Sequence, residues 1–297
     1  MTTPRAWGPP TWEANVHTIA YYMEKENTQN ADCKREQLTY WVHLGAILAC
    51  PGCTYHWAYM LEHMPPKLSN IFRLSIEYHD LVTQRVTWTE QVLLGRKDPK
   101  EPLPTIPTFT PRPAEVEKYV KEYKPLTQSE FWPKFWLALH FIAYAFPANP
   151  LPGQTEHLHQ FFQNLHYALP EPFGKRAAVE SWVRQHPLKL DQLMQWVLDF
   201  RNGIHAREPA LQATSGTVSH MLAERFQQAM KESHKHTPVY SWPPLPPEVQ
   251  IKIENAATAP PKVQQNSKFP FWLLIFMFLF LVLLVVGIYL YRKKKST

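Results

Sequence analysis

Glycine is scarce in this chain, with 9 in 297 residues, and none falls in a GxGxxG or GxxxxGK[ST] pattern. A glycine loop cradling phosphate is therefore excluded as the basis of function. Cysteine is scarcer still. Cys33, Cys50 and Cys53 are too few, and odd in number, for a disulfide-stapled secreted framework. The opening MTTPRAWGPPTW has no apolar run behind a basic start, so no signal peptide is expected. Excess charge is missing too. The formal net charge is +6, but four of the 31 basic residues are Arg292, Lys293, Lys294 and Lys295, in a tail with no acid. That leaves 27 basic against 25 acidic residues in 1–268, which is no electrostatic footprint for nucleic acid.

Apolar and aromatic residues and proline are abundant: 45% hydrophobic, 11 Trp and 29 Pro. The chain is long enough for two modest domains and too apolar to be disordered throughout. Residues 269–291 (FPFWLLIFMFLFLVLLVVGIYLY) carry no charge. At ~1.5 Å per residue they make a helix long enough for a bilayer core. Trp272 near one end, with Tyr289 and Tyr291 near the other, suits aromatic belts. The basic tail 292–297 would favour a cytoplasmic C-terminus. A span beside the C-terminus without a signal peptide favours instead insertion after synthesis, with the large N-terminal part in the cytosol, and that is the orientation expected.

Two proline-rich stretches divide the rest. Residues 98–113 read as a linker and 237–268 as a stalk before the membrane. They frame segments 1–97 and 114–236, which look like copies of one another. Trp12, His17 and IAYY in the first answer to WLALHFIAYAF, with Trp136 and His140, in the second. A constant offset of 122 lays 50–65 over 172–187 and His79-Asp80-Leu81-Val82-Thr83 over Arg201-Asn202-Gly203-Ile204-His205. Apolar residues recur at three- and four-residue spacing (Leu38, Trp41, Val42, Gly45, Leu48; Leu190, Leu193, Val197, Phe200), and sustained alternation is absent. The fold class expected is all-α: two helical bundles and a C-terminal transmembrane helix.

Cys50-Pro-Gly-Cys53 is the motif that carries chemistry. The pair reads as a zinc half-site, a redox disulfide or two buried thiols. Pro51 suits the first turn of a helix, placing Cys50 near the N-cap and Cys53 in that turn. Unpaired N–H groups and the positive dipole end there stabilise a thiolate. A thioredoxin context is disfavoured, because the pair follows a helical pattern and not a strand.

The run W-G-P-P-T-W…H-T-x-A-Y-Y, then C-P-G-C-T-Y-H-W, then H-D-x-V-T over residues 7–97 resembles the Erv/ALR family of FAD-dependent sulfhydryl oxidases. That family shows WGPxxWxxLHxxAxxYP, CxxCxxHF and HNxVNxxLGK in this order. The resemblance implies a small helical bundle holding FAD, often a homodimer, with membrane-anchored relatives in large DNA viruses that carry a second helical domain. It implies Cys53 as the sulfur beside the flavin and Cys50 as the sulfur exchanging with substrate dithiols. It also implies His56 next to the flavin, Trp12, His17 and Tyr22 as first-helix contacts, His79, Asp80, Val82 and Thr83 against the adenosine, and Arg85 near the pyrophosphate. Trp12 to His17 is one residue longer than the family's W-x3-H, and Asp80 and Thr83 replace two asparagines.

In the second segment Pro172-Phe173-Gly174-Lys175 replaces the CxxC, so that segment is expected to dock substrate or dimerise rather than to do redox chemistry. Cys33 has no partner motif and reads as a partly buried thiol. The expected activity passes electrons from a protein dithiol through Cys50 and Cys53 to FAD and then molecular oxygen, giving hydrogen peroxide. The expected location is a virion membrane or a membrane of an infected cell. A zinc-stabilised membrane adaptor and a non-catalytic helical scaffold are the other readings.

Overall fold

The computed structural model describes residues 4–26, 31–48, 51–93, 110–147, 150 and 153–232. The expected span 269–291, the stalk, the basic tail, most of the linker and Cys50 lie outside them. Among the described residues there is no strand, and no helix is long and apolar enough to cross a membrane. The all-α expectation holds for them, and all of them fall within one compact unit, Met1–Glu254.

The first half opens with α1 (Pro4–Pro10), a π-helical stretch Thr11–Thr18 and α2 (Ile19–Glu26), one continuous helix in three segments. It continues with α3 (Ala31–Ala46), α4 (Pro51–His63) and α5 (Ile71–Leu93). Next come α6 (Pro113–Glu122), which packs on α5, and then α7 (Gln128–Ala145), α8 (Gln154–Ala168), α9 (Arg176–Gln185), α10 (Leu193–Ile204) and α11 (Ser215–Glu232). Local chemistry sets several of these starts. Proline stands at the first position of α4 and of α6, where its missing N–H costs nothing. Thr127 and Glu130 close a capping box ahead of α7, the Thr127 N–H donating to Glu130 Oε2 at 2.9 Å.

The repeat read from the sequence has a structural counterpart. A single 3₁₀ turn, Leu68–Asn70, leads into α5, and another, Leu190–Gln192, leads into α10, at the same offset of 122. The first helix, α3, α4 and α5 thus answer to α7, α8, α9 and α10.

The halves meet through corresponding helices. The first helix lies on α7, and α3 lies on α8. Tyr40 stacks on Phe161 at 5.1 Å, Gln37 Nε2 donates to the Tyr167 carbonyl, and His43 and His157 approach Nδ1 to Nδ1 at 2.7 Å. Glu13 pairs with Lys134 and Glu26 with Arg176 across the same junction. A continuous apolar core runs through both halves, with Trp41, Trp57, Trp132, Trp136 and Phe161 almost fully buried. In each half a tryptophan lies on a glycine: a Cβ on Gly45 would fall 1.8 Å from Trp57, and one on Gly203 would fall 2.3 Å from Trp182. Only a residue without a side chain admits either ring.

Candidate functional site

Trp12 and His17, five residues apart, both lie in the π-helical stretch. On an α-helix, residues five apart diverge around the axis. In a π-turn, with its i→i+5 ladder, they share a face. Pro9 and Pro10 withhold two N–H donors just before it, so the regular ladder is already interrupted where the wider turn begins. Trp12 and His17 consequently stack, with centroids 5.5 Å apart and planes at 25°.

His79, from α5, completes the group. Its ring lies 4.5 Å from that of Trp12 at 13°, and its Nδ1 is 2.8 Å from His17 Nε2. His17 Nδ1 is 2.9 Å from Ser75 Oγ, and Ser75 donates its hydroxyl to the Phe72 carbonyl at 2.6 Å. That last bond fixes the tautomers: His17 Nδ1–H must donate to Ser75, leaving Nε2 to accept from His79 Nδ1–H. The chain runs from His79 through His17 and Ser75 to a carbonyl, with both imidazoles neutral. Burial, and then His79, pushes His17 well below the ordinary histidine range, and burial pushes His79 down to about 4. Trp57, Tyr119 and Tyr123 close around the pair, and Tyr123 shares a hydrogen bond with Thr18 at 2.9 Å.

The remaining sequence candidates divide. Pro51 is the first residue of α4, so Cys53 stands in its first turn, half-buried against the core. His56 follows one turn later, buried. Burial and then the neighbouring Arg85 push its pKa down to about 3. Val82 is half-buried against the core, and Thr83 is exposed. Asp80 is committed elsewhere: its carboxylate accepts from the backbone N–H and the guanidinium of Arg112 and from Gln84. Burial pushes that carboxyl up, but the Arg112 hydrogen bonds outweigh it and hold it below its usual range. Tyr22 points across the junction, edge-on to Phe173 at 5.4 Å. The structure thus gathers Trp12, His17 and His79, sets His56 beside Arg85, and leaves Tyr22, Asp80 and Thr83 outside the stack.

Ser75, Tyr119 and Tyr123 are neighbours that sequence reasoning missed. Ser75 stands four residues before His79 on one face of α5, and Tyr119 and Tyr123 are likewise four apart, so helical spacing carried the signal.

Among the described residues, buried polar atoms without a hydrogen-bond partner occur in both halves: the indole N–H of Trp7, Trp41 and Trp57 and the side-chain amide of Asn15 in the first, and the indole N–H of Trp132 and both ring nitrogens of His140 in the second. Trp57 touches both Trp12 and Trp41. An orphaned buried donor costs roughly 1–3 kcal/mol.

In the second half Trp136 and His140 repeat the first-helix pair on α7. Trp136 Nε1–H donates to His205 Nε2 at 2.9 Å, and His205 Nδ1 lies 3.2 Å from Glu208. Lys175, at the place of Cys53, pairs with Glu208. Among the described residues, no three His, Cys, Asp or Glu side chains converge as a metal site would need. No protein-family model, curated protein or solved structure matches this chain.

Proposed function

We propose that the chain is a membrane-anchored, FAD-dependent sulfhydryl oxidase that forms disulfides in protein substrates. The observation that carries this reading is the Trp12–His17–His79 stack, built from the first and third motifs of the resemblance. Cys53 and His56 on α4, in the same half, supply the second motif. Of the residues the resemblance implies, Trp12, His17, His56, His79, Val82 and Arg85 would hold the FAD, while Tyr22, Asp80 and Thr83 lie outside the stack. The orphaned donors of Trp7, Asn15, Trp41 and Trp57 favour a polar-edged occupant of this bundle. Bound there, FAD would supply a two-electron acceptor that molecular oxygen regenerates, with release of hydrogen peroxide.

The protein's own part is thiol exchange. A substrate thiolate attacks Cys50 of an oxidised Cys50–Cys53 pair, forming a mixed disulfide and releasing Cys53 as thiolate. The second substrate thiolate displaces Cys50, so the substrate leaves oxidised and the pair is left as a dithiol. The N-terminus of α4 stabilises the Cys53 thiolate through its unpaired N–H groups. The neutral His79–His17–Ser75 chain holds Trp12 and keeps positive charge out of the stack.

Residues 269–291 would anchor the chain, with residues 1–268 in the cytosol, in a virion membrane or a membrane of an infected cell. Homodimers would form through a face other than α3, which α8 covers. The test is oxygen uptake by the detergent-solubilised full chain with a dithiol. Wild type should consume oxygen and release hydrogen peroxide, and Cys50→Ser and Cys53→Ser should not. Equal uptake by all three would sink the reading.

A further inference from the structure

We propose that the second half binds a small tetrahedral oxyanion between His140 of α7 and Arg201 of α10. The argument starts from what the repeat has lost. In the first half His17 has both ring nitrogens satisfied, by Ser75 and His79. His140 is the corresponding residue, fully buried, yet neither Nδ1 nor Nε2 has a hydrogen-bond partner among the described residues. The cause lies in α10, which packs on α7. The offset of 122 puts Val197 where Ser75 stands and Arg201 where His79 stands. One substitution removes a hydroxyl, and the other exchanges a neutral ring for a permanent cation.

Arg201 makes an independent second observation. It is 9% exposed, and its one side-chain hydrogen bond among the described residues runs from Nε to the Leu211 carbonyl at 2.7 Å. No carboxylate pairs with it there. Glu208, the acid at this end of the bundle, is held by Lys175 and His205, and Asn202 is spent on both backbone groups of Ala213. A buried guanidinium without a counter-charge is costly, and so is an imidazole with two orphaned nitrogens.

Both deficits have one remedy. An oxyanion would accept from the remaining guanidinium N–H groups and from the one ring N–H of neutral His140, and it would supply the missing charge. Arg201 stands on α10 where His79 stands on α5, and His79 reaches His17 on the first helix at 2.8 Å, so the packing of α10 on α7 turns Arg201 towards His140 in the same way. A carboxylate paired bidentately with the guanidinium commits both of its oxygens there. A phosphate or sulfate has oxygens left over for the imidazole, which is why the tetrahedral class is favoured. This site is separate from the Trp12–His17–His79 stack and does not depend on the oxidase reading.

The test is thermal unfolding of the full chain, titrated with sodium sulfate, inorganic phosphate or sodium formate against sodium chloride at matched ionic strength. Wild type should show a Tm that rises with sulfate and phosphate, little with formate and not with chloride. The rise should vanish in Arg201→Gln and in His140→Phe. His140→Gln, which keeps a donor at the ring's position, should retain part of it and guards against loss through misfolding of the other variants. A wild-type Tm indifferent to sulfate and phosphate would overturn the proposal, as would an equal rise in Arg201→Gln. A crystal structure grown in sulfate with only an ordered water between the two side chains would overturn it as well.

Discussion

The two halves of this protein keep the same skeleton and have exchanged the groups at its centre. Each presents a Trp and a His on its first helix, a 3₁₀ turn into its last helix and a tryptophan laid on a glycine. In the first half the histidine sits in a closed, neutral hydrogen-bond chain beside the Cys53 helix. In the second, cysteine has become Lys175, serine Val197 and histidine Arg201, and the central histidine is stranded. The comparison separates what the bundle needs in order to fold from what the proposed oxidase needs in order to react. Aromatic packing survives in both halves, while the thiols and their neutral surroundings occur in one.

The sharpest way to break the comparison is to remove the thiol on which the proposed chemistry rests. Cys53→Ser should lower dithiol-driven oxygen uptake by several orders of magnitude, as loss of a nucleophile does. Lys175→Met, at the corresponding place, should leave that rate unchanged and show only in the melting curve. Next in size are the two glycines. Gly45→Ala and Gly203→Ala should each cost roughly 1–3 kcal/mol in urea unfolding, because a Cβ must displace a buried indole. A near-neutral result at either position would show that this half does not seat its tryptophan as described.

The central histidines should respond with opposite sign. His17→Phe orphans Ser75 and His79 and should destabilise by about 1–3 kcal/mol. His140→Phe removes two orphaned nitrogens and should be neutral or stabilising in buffer free of oxyanions. Equal losses at both positions would erase the distinction.

The pH dependence joins the halves. His79 and His43 are pushed down to about 4, and His56 and His140 to about 3, each by burial first. Unfolded, these side chains titrate near 6.5, so below that pH the unfolded chain binds more protons than the folded one. Their stabilising contribution is complete above pH 6.5 and is lost as pH falls towards 4, readable as a falling Tm. The contact between His43 and His157 cannot accept a second proton without repulsion, so His43→Phe should flatten part of that slope. The smallest effect belongs to Asp80→Asn. Arg112 is half exposed, so the pair is worth about 1 kcal/mol or less.

Much of this was legible in the sequence. Period and composition carried the helical class, Pro51 marked the start of α4, and the offset of 122 returns in the matched 3₁₀ turns. The stack itself was half legible. The spacing of Trp12 and His17 looked wrong because sequence counting assumes 3.6 residues per turn, and the π-turn changes the count. The resemblance implies Asp80 as a ligand contact, and its partner in the structure, Arg112, comes from the far end of the proline-rich stretch, a pairing no local pattern encodes. The interlocking of the halves through α3 and α8 was invisible for the same reason, since it depends on which faces two distant helices turn to each other.

The most direct test of the central claim is the visible absorption spectrum of the purified full chain in detergent, with dithiol added and air then readmitted. The account predicts a bound-flavin band that bleaches and recovers in wild type, and a band of equal strength that fails to bleach in Cys53→Ser. A colourless protein would contradict it, and so would a flavin band that bleaches equally well without Cys53.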